Sequence, residues 1–263
     1  MVLDQLFLWH LGAILVIFAS TCWVKHKVCR PLENGQQSIL GIATRFVATL
    51  FAFILGFTVA ILWKDYREAD KRVVNEATEL RIICSLSRAV EQSQTLRDRV
   101  LAYTQAVIEE EWPAMTKGQT SPKADQARNR LWVESLALAK KYPQQKSFTE
   151  AILKALVQFD HDRRERMALL EKSVHPLIYY TLILSGISTI ICFTFLSVRR
   201  TQLQYLLDAI IVSAVVFNIY LVSAIDLPFS GTGITVSPKP FLNLQQQLAA
   251  EIREAEPAPA ERK

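Results

Sequence analysis

Four long apolar stretches, at about Leu6–Val24, Phe46–Trp63, Leu177–Val198 and Tyr205–Ile225, alternate with polar sequence. Each is near the roughly 20 residues that a helix needs to cross a bilayer core. Trp9, Trp23, Trp63, Tyr179, Tyr180 and Tyr205 lie near their ends, as an aromatic belt would. The pattern predicts four transmembrane helices. The first is read as retained, because no basic segment precedes it and no clear cleavage site follows.

Between the second and third stretches, Lys64 to about Pro176 is polar with helical periodicity. Val73, Ala77, Leu80 and Cys84 form one apolar stripe, and Leu96, Val100, Tyr103 and Val107 another. Trp112-Pro113 is expected to end that helix. Ser121 with Pro122 predicts a capped start for the next. Ser147-Phe148-Thr149-Glu150 has the form of a capping box, opening a helix with Ile152, Leu156 and Phe159 on one face. The interspersed charges, Glu109-Glu110-Glu111 among them, predict solvated helix faces.

The remaining segments are short. Lys25-His26-Lys27 through Arg30 to Arg45 reads as a basic loop broken by Pro31 and Asn34-Gly35. Arg199-Arg200-Thr201 joins the last two spans. An amphipathic helix is expected from about Leu242 to Arg253, followed by a tail too poor in apolar bulk to fold alone. The expected fold is thus an all-α membrane protein: four transmembrane helices with a helical soluble bundle inserted between the second and third. Its parts are a first transmembrane pair with its basic loop (1–63), the bundle (64–176), a second pair (177–225), a turn with the amphipathic helix (226–253) and the tail (254–263).

Composition fits that plan. Of 263 residues, 51% are hydrophobic and 21% charged, with a net charge of +5. No dense Lys/Arg patch interleaved with aromatics appears, so nucleic acid is not an expected partner. Cys22, Cys29, Cys84 and Cys192 form neither a CxxC pair nor a His/Cys cluster, so no metal site or disulfide framework is indicated. No phosphate loop, nucleophile elbow or paired carboxylates on a shared face appear. Neither an enzyme nor a bound cofactor is expected.

Polar residues inside the spans are the next candidates. Ser185, Gly186, Ser188, Thr189, Cys192 and Thr194 read as a close-packing surface. His10 and Asp208 are expected near an interface. Asn218 reads first as a packing hydrogen bonder and second as a pathway residue. In the second span, Thr49, Phe53, Gly56, Phe57 and Ala60 fall at i, i+4, i+7, i+8 and i+11, one helix face. That face is either a helix–helix packing surface with Gly56 at the crossing, or a pore wall.

Phe53-Ile54-Leu55-Gly56-Phe57-x-Val59, followed by Trp63 and Tyr66, resembles the second transmembrane helix of bestrophins, the pentameric anion channels. Asp226-x-Pro228-Phe229-x-Gly231 is similar to the turn by which their chain leaves the membrane. Over roughly Leu40 to Phe241 the sequence looks still more like the bacterial bestrophin-like family. The likeness there rests on Asn75-Glu76-Ala77 with Leu80, Glu111-Trp112-Pro113 with Met115 and Gly118, Phe217-Asn218 with Tyr220-Leu221-Val222, and Asp226…Ser237-Pro238.

The resemblance implies a homo-oligomer, pentameric by analogy, embedded in membrane lipid and passing chloride or other small inorganic anions. Its neck would be lined by Thr49, Phe53, Gly56 and Phe57. Two departures matter. Thr232-Gly233-Ile234-Thr235 replaces the acidic run that helps bestrophins hold calcium, so calcium gating of that kind is not expected. Thr49 and Leu50 stand where a neck proline would be. The alternative reading is a membrane-anchored helical scaffold or sensor with no pore.

Sidedness is contested within the sequence. Lys25, Lys27, Arg30, Arg45, Arg199 and Arg200 against Glu33 would put the short loops in the cytoplasm. The resemblance implies the reverse. Basic residues also flank the spans on the bundle side (Lys64, Arg67, Lys71, Arg72, Lys172), and Cys84 suits a reducing compartment. The expectation adopted is a multi-pass bacterial inner-membrane protein with its bundle and both termini cytoplasmic.

Overall fold

The structure is a computed structural model describing residues 5–27, 33–170, 174–196, 201–231 and 234–255. Cys29, Arg30, Pro31, Lys172, Arg199, Arg200, Thr232, Gly233 and the tail from Glu256 lie outside the described residues. Among those described, every regular element is a helix. They are α1 (Gln5–Lys27), α2 (Asn34–Ser87), α3 (Gln94–Ala106), α4 (Trp112–Met115), α5 (Pro122–Lys141), α6 (Lys146–Ala168), α7 (Pro176–Leu196), α8 (Gln202–Ile225) and α9 (Lys239–Ala255). A π-helical turn, Val107–Glu111, lies between α3 and α4.

Among the described residues, four helices are long and apolar enough to cross a membrane: Phe7–Lys27, Gly35–Ser87, Pro176–Leu196 and Gln202–Ile225. The chain forms two compact units. One comprises Met1–Asp65, Lys172–Leu227 and Thr232–Ile234; the other Tyr66–Glu171, Pro228–Gly231 and Thr235–Lys263.

In the first unit, α8 packs against α1 and α7, and α1 also meets α7. Gly186 permits a close approach: a Cβ there would lie 2.9 Å from Val215 Cγ1 and 3.2 Å from Phe51 Cε2. The hydroxyls of Ser185, Thr189 and Thr194 return to carbonyls of their own helix, at Leu182, Ser185 and Ile190. That face of α7 is therefore packed and its polar groups are satisfied locally, as small-residue surfaces of membrane helices are.

Lys25-His26-Lys27, expected in a loop, form the last turn of α1, where basic residues complement the helix dipole. Asn34 and Gly35 open α2 instead of breaking the chain further. Asp208, expected at an interface, is buried and ion-paired with buried Lys25, whose ammonium also lies 5.6 Å from the Tyr205 ring centre.

The second unit is built on the stripes read from the sequence. Val73, Leu80, Leu96, Val100, Tyr103, Val107, Ile152, Leu156 and Phe159 are all buried in one core. Ser121 caps α5, accepting from Ala124 N–H at 3.4 Å. Two expectations fail. Trp112-Pro113 does not end the helix: the backbone widens through Val107–Glu111, with Trp112 N–H bonded to Val107 C=O, and resumes as α4. A π-turn rearranges the hydrogen bonds a proline would otherwise break. Gly118, at φ 68°, lies just beyond α4. The capping box is also absent. A 3-10 turn, Pro143–Gln145, starts α6 at Lys146, so Ser147 is already helical and Thr149 bonds back to Lys146 C=O at 3.1 Å.

Candidate functional site

The second-span residues Thr49, Phe53, Gly56, Phe57 and Ala60 all face away from the rest of the chain. Phe53 is 68% and Phe57 64% exposed, with their rings 6.0 Å apart and tilted by 35°. A Cβ added to Gly56 would meet nothing within 4 Å. The intrachain crossing considered for Gly56 is therefore not made; Gly186 occupies such a crossing instead.

The opposite side of the same helix is the packed one, through buried Thr44, Phe51, Thr58 and Leu62. The outward residues continue beyond the motif. Ile39, Ile42, Phe46, Leu50, Phe53, Phe57 and Ile61 are all exposed. Their 3-4-4 spacing is an 11-residue repeat, about 3.67 residues per turn, which keeps them on one side of a nearly straight helix.

Asn218, half-buried on α8, donates to Ala214 C=O of its own helix at 2.8 Å. It makes no bond to a neighbouring helix among the described residues, so its expected packing role is not realised within the chain. His10 rests edge-on against Tyr220, centroids 5.2 Å apart. Asp226 follows α8 directly and is buried. It accepts from Val174 N–H at 3.1 Å and Tyr179 O–H at 3.2 Å, tying the end of α8 to the approach of α7.

Pro228, Phe229 and Gly231 belong to the second unit. Pro228 C=O accepts from Val236 N–H at 2.8 Å, closing the turn. Phe229 packs edge-on against Trp112 at 5.8 Å. Gly231 has φ 73°, where a side chain is strained, and a Cβ there would lie 3.2 Å from Thr116 Cγ2.

A buried charge cluster in the second unit escaped the sequence reading. Arg166, fully buried, donates from Nε to Glu76 Oε2 at 2.6 Å. Its Nη2 donates to Glu76 Oε1 at 3.0 Å and to Glu111 Oε1 at 2.6 Å. Arg163 also pairs with Glu111 and, at 3.0 Å, with Asp125. Tyr103 O–H donates to Glu76 at 2.5 Å. The Arg166 guanidinium lies 5.8 Å from the Trp112 ring and 5.7 Å from Phe241, both centre distances.

Burial opposes the charge on Arg166, but Glu76 and Glu111 outweigh it and hold the guanidinium pKa above its ordinary value. Burial, reinforced by Glu76, pushes the Tyr103 hydroxyl well above its usual range, so it stays a donor. Glu111 is therefore not the solvated charge its acidic neighbours suggested. The paired carboxylates absent from the sequence reading are Glu76 and Glu111, bridged by Arg166. The missed signal was position: Arg163 and Arg166 extend the Ile152–Leu156–Phe159 face, and Glu76 sits among Val73, Ala77 and Leu80.

A profile of the Bestrophin-like domain matches residues 12–241. A point variant of a bacterial bestrophin homologue from Klebsiella pneumoniae is structurally similar, with TM-score 0.68 and 13% identity. The match covers 94% of this chain and 97% of that one. A variant described as a membrane protein is similar at TM-score 0.65 and 13% identity, over 97% and 100% of the two chains. A further crystal structure of a bacterial bestrophin homologue from Klebsiella pneumoniae gives TM-score 0.58 and 12% identity, over 95% and 98%. No curated protein matches the sequence.

Proposed function

Because this chain belongs to the Bestrophin-like family, we propose that it forms an oligomeric channel in the membrane and passes chloride or other small anions. The observation carrying this reading is the outward face of α2. An apolar helix that buries one side and leaves Thr49, Phe53, Gly56 and Phe57 without an intrachain partner has its second surface free for an axis shared with identical copies. Copies around that axis, five by analogy, would stack Thr49, Phe53 and Phe57 into narrow rings.

Such a constriction gates by dewetting, and weakly hydrated anions cross it more readily than strongly hydrated ones. The positive edges of the Phe rings can face an anion. Lys64 and Arg67 would raise the local anion concentration, opposed by Asp65, Glu68 and Asp70. The helices of the second unit are then water-exposed and cytoplasmic.

The test is chloride and iodide flux into liposomes for wild type, Phe53→Ala and Phe57→Ala. Wild-type flux whose rate or selectivity changes in the variants is expected. Absence of flux from every variant, with an assembled oligomer verified by mass, would refute the channel.

A further inference from the structure

We propose that a groove between the start of α2 and the end of α7 binds an anionic membrane phospholipid. The groove has a volume of about 730 Å³, inside the roughly 300–1,000 Å³ typical of small-molecule pockets. Its two walls run antiparallel: Gly41 faces Leu196, while Phe51 faces Gly186. The outer end is polar, with Gln37 and Ser38, Arg45 stands midway beside Phe193, and at the inner end Ala48 meets Thr189, whose hydroxyl, like that of Thr44, is spent on its own helix. An amphiphile is the ligand whose own polarity follows that gradient.

Charge complementarity selects the head group. Arg45 is exposed and has no carboxylate partner among the described residues. Helical side chains lean toward the helix N-terminus, which carries its guanidinium toward Gln37 and Ser38. Arg45 also stands directly before the apolar run that starts at Phe46, the depth at which arginine reaches back to the lipid phosphates. Gly41 keeps the wall low: a Cβ there would still be 3.9 Å from Leu196 Cδ1.

A second groove, of about 330 Å³ between α1 and α7, makes the contrast. Its hydroxyls, Ser20, Thr21 and Thr194, are spent on their own helices' carbonyls, and no cation lines it. It has nothing with which to choose a head group.

The experiment is native mass spectrometry of the full-length protein in micelles doped with phosphatidylglycerol or phosphatidylcholine. A single basic residue at a membrane surface corresponds to about a fivefold preference for the anionic lipid. Wild type and Arg45→Lys are expected to retain phosphatidylglycerol over phosphatidylcholine by about that factor. Arg45→Gln should retain both equally, and Gly41→Leu should retain less of either. Equal retention by wild type, or a preference that survives Arg45→Gln, overturns the proposal. So does a changed assembly mass for Gly41→Leu with unaltered lipid retention, which would make the groove a contact between copies. None of these readouts depends on ion flux, so the site stands or falls separately from the channel.

Discussion

Replacing Arg166 by Met would remove three hydrogen bonds to two buried carboxylates while leaving most of the side chain's apolar volume against Trp112 and Phe241. The two carboxylates would not suffer equally. Glu111 keeps its contact with Arg163, but Glu76 is left with the Tyr103 hydroxyl alone. The variant thus strands one charge at a fully buried position. Breaking a buried pair from one side costs about 3–5 kcal/mol. At about 2–4 °C per kcal/mol for a chain of this size, the midpoint of thermal unfolding should fall by roughly 6–20 °C.

Adding Glu76→Gln removes the stranded charge and keeps an acceptor for Tyr103. The double variant should recover roughly 1–3 kcal/mol of the loss. Unfolding in detergent, followed by tryptophan fluorescence, reads both steps. A single variant within about 2 °C of wild type, or a double variant less stable than the single, would refute the account.

Other consequences are checked the same way. Gly186→Ala should lower stability by about 1–3 kcal/mol through overpacking against Val215 and Phe51, whereas Gly56→Ala should leave the chain's own packing intact; equal losses would remove the distinction drawn between these glycines. Lys25→Met should destabilise more than Lys25→Met with Asp208→Leu, because the single change strands a buried carboxylate; the reverse order in thermal unfolding would refute the pairing. Burial pushes the Cys84 thiol to about 12, so in a chain with the other cysteines changed to Ser, only about one molecule in a thousand carries the thiolate at pH 9. Alkylation of the native protein should then be slow and accelerate with rising pH, while a rate at pH 9 equal to that of the unfolded chain would refute it.

Hydrophobic spacing carried most of the fold. The apolar stripes of α2, α3 and α6 were legible because a core-facing position repeats every three or four residues whatever lies across from it. The lost features depend on what lies across. Nothing within Glu109-Glu110-Glu111 says which carboxylate turns inward; that follows from Arg163 and Arg166 arriving on α6. Lys25 looked like a loop charge because its counter-ion lies far along the chain at Asp208. Pro113 looked like a stop because a π-turn leaves no mark in composition. The outward face of α2 was legible as a face, but its lack of an intrachain partner required the positions of α7 and α8.

The π-turn has a consequence for how the segment tolerates change in length. In an unbroken α-helix, Met115, twelve residues beyond Tyr103, would have drifted about 120° around the axis. Yet Tyr103, Val107, Glu111 and Met115 are all buried. The wide turn at Val107–Glu111 takes up the drift and keeps them on one side. Deleting exposed Glu109 would restore a regular helix in which Tyr103, Val107, Glu111 and Met115 fall within about 60° of one another, so the core-facing set would be kept. The wide turn thus acts as one surplus residue: a single deletion is absorbed within Val107–Glu111, whereas one in the regular helix to either side would rotate the flanking segments by about 100° against each other.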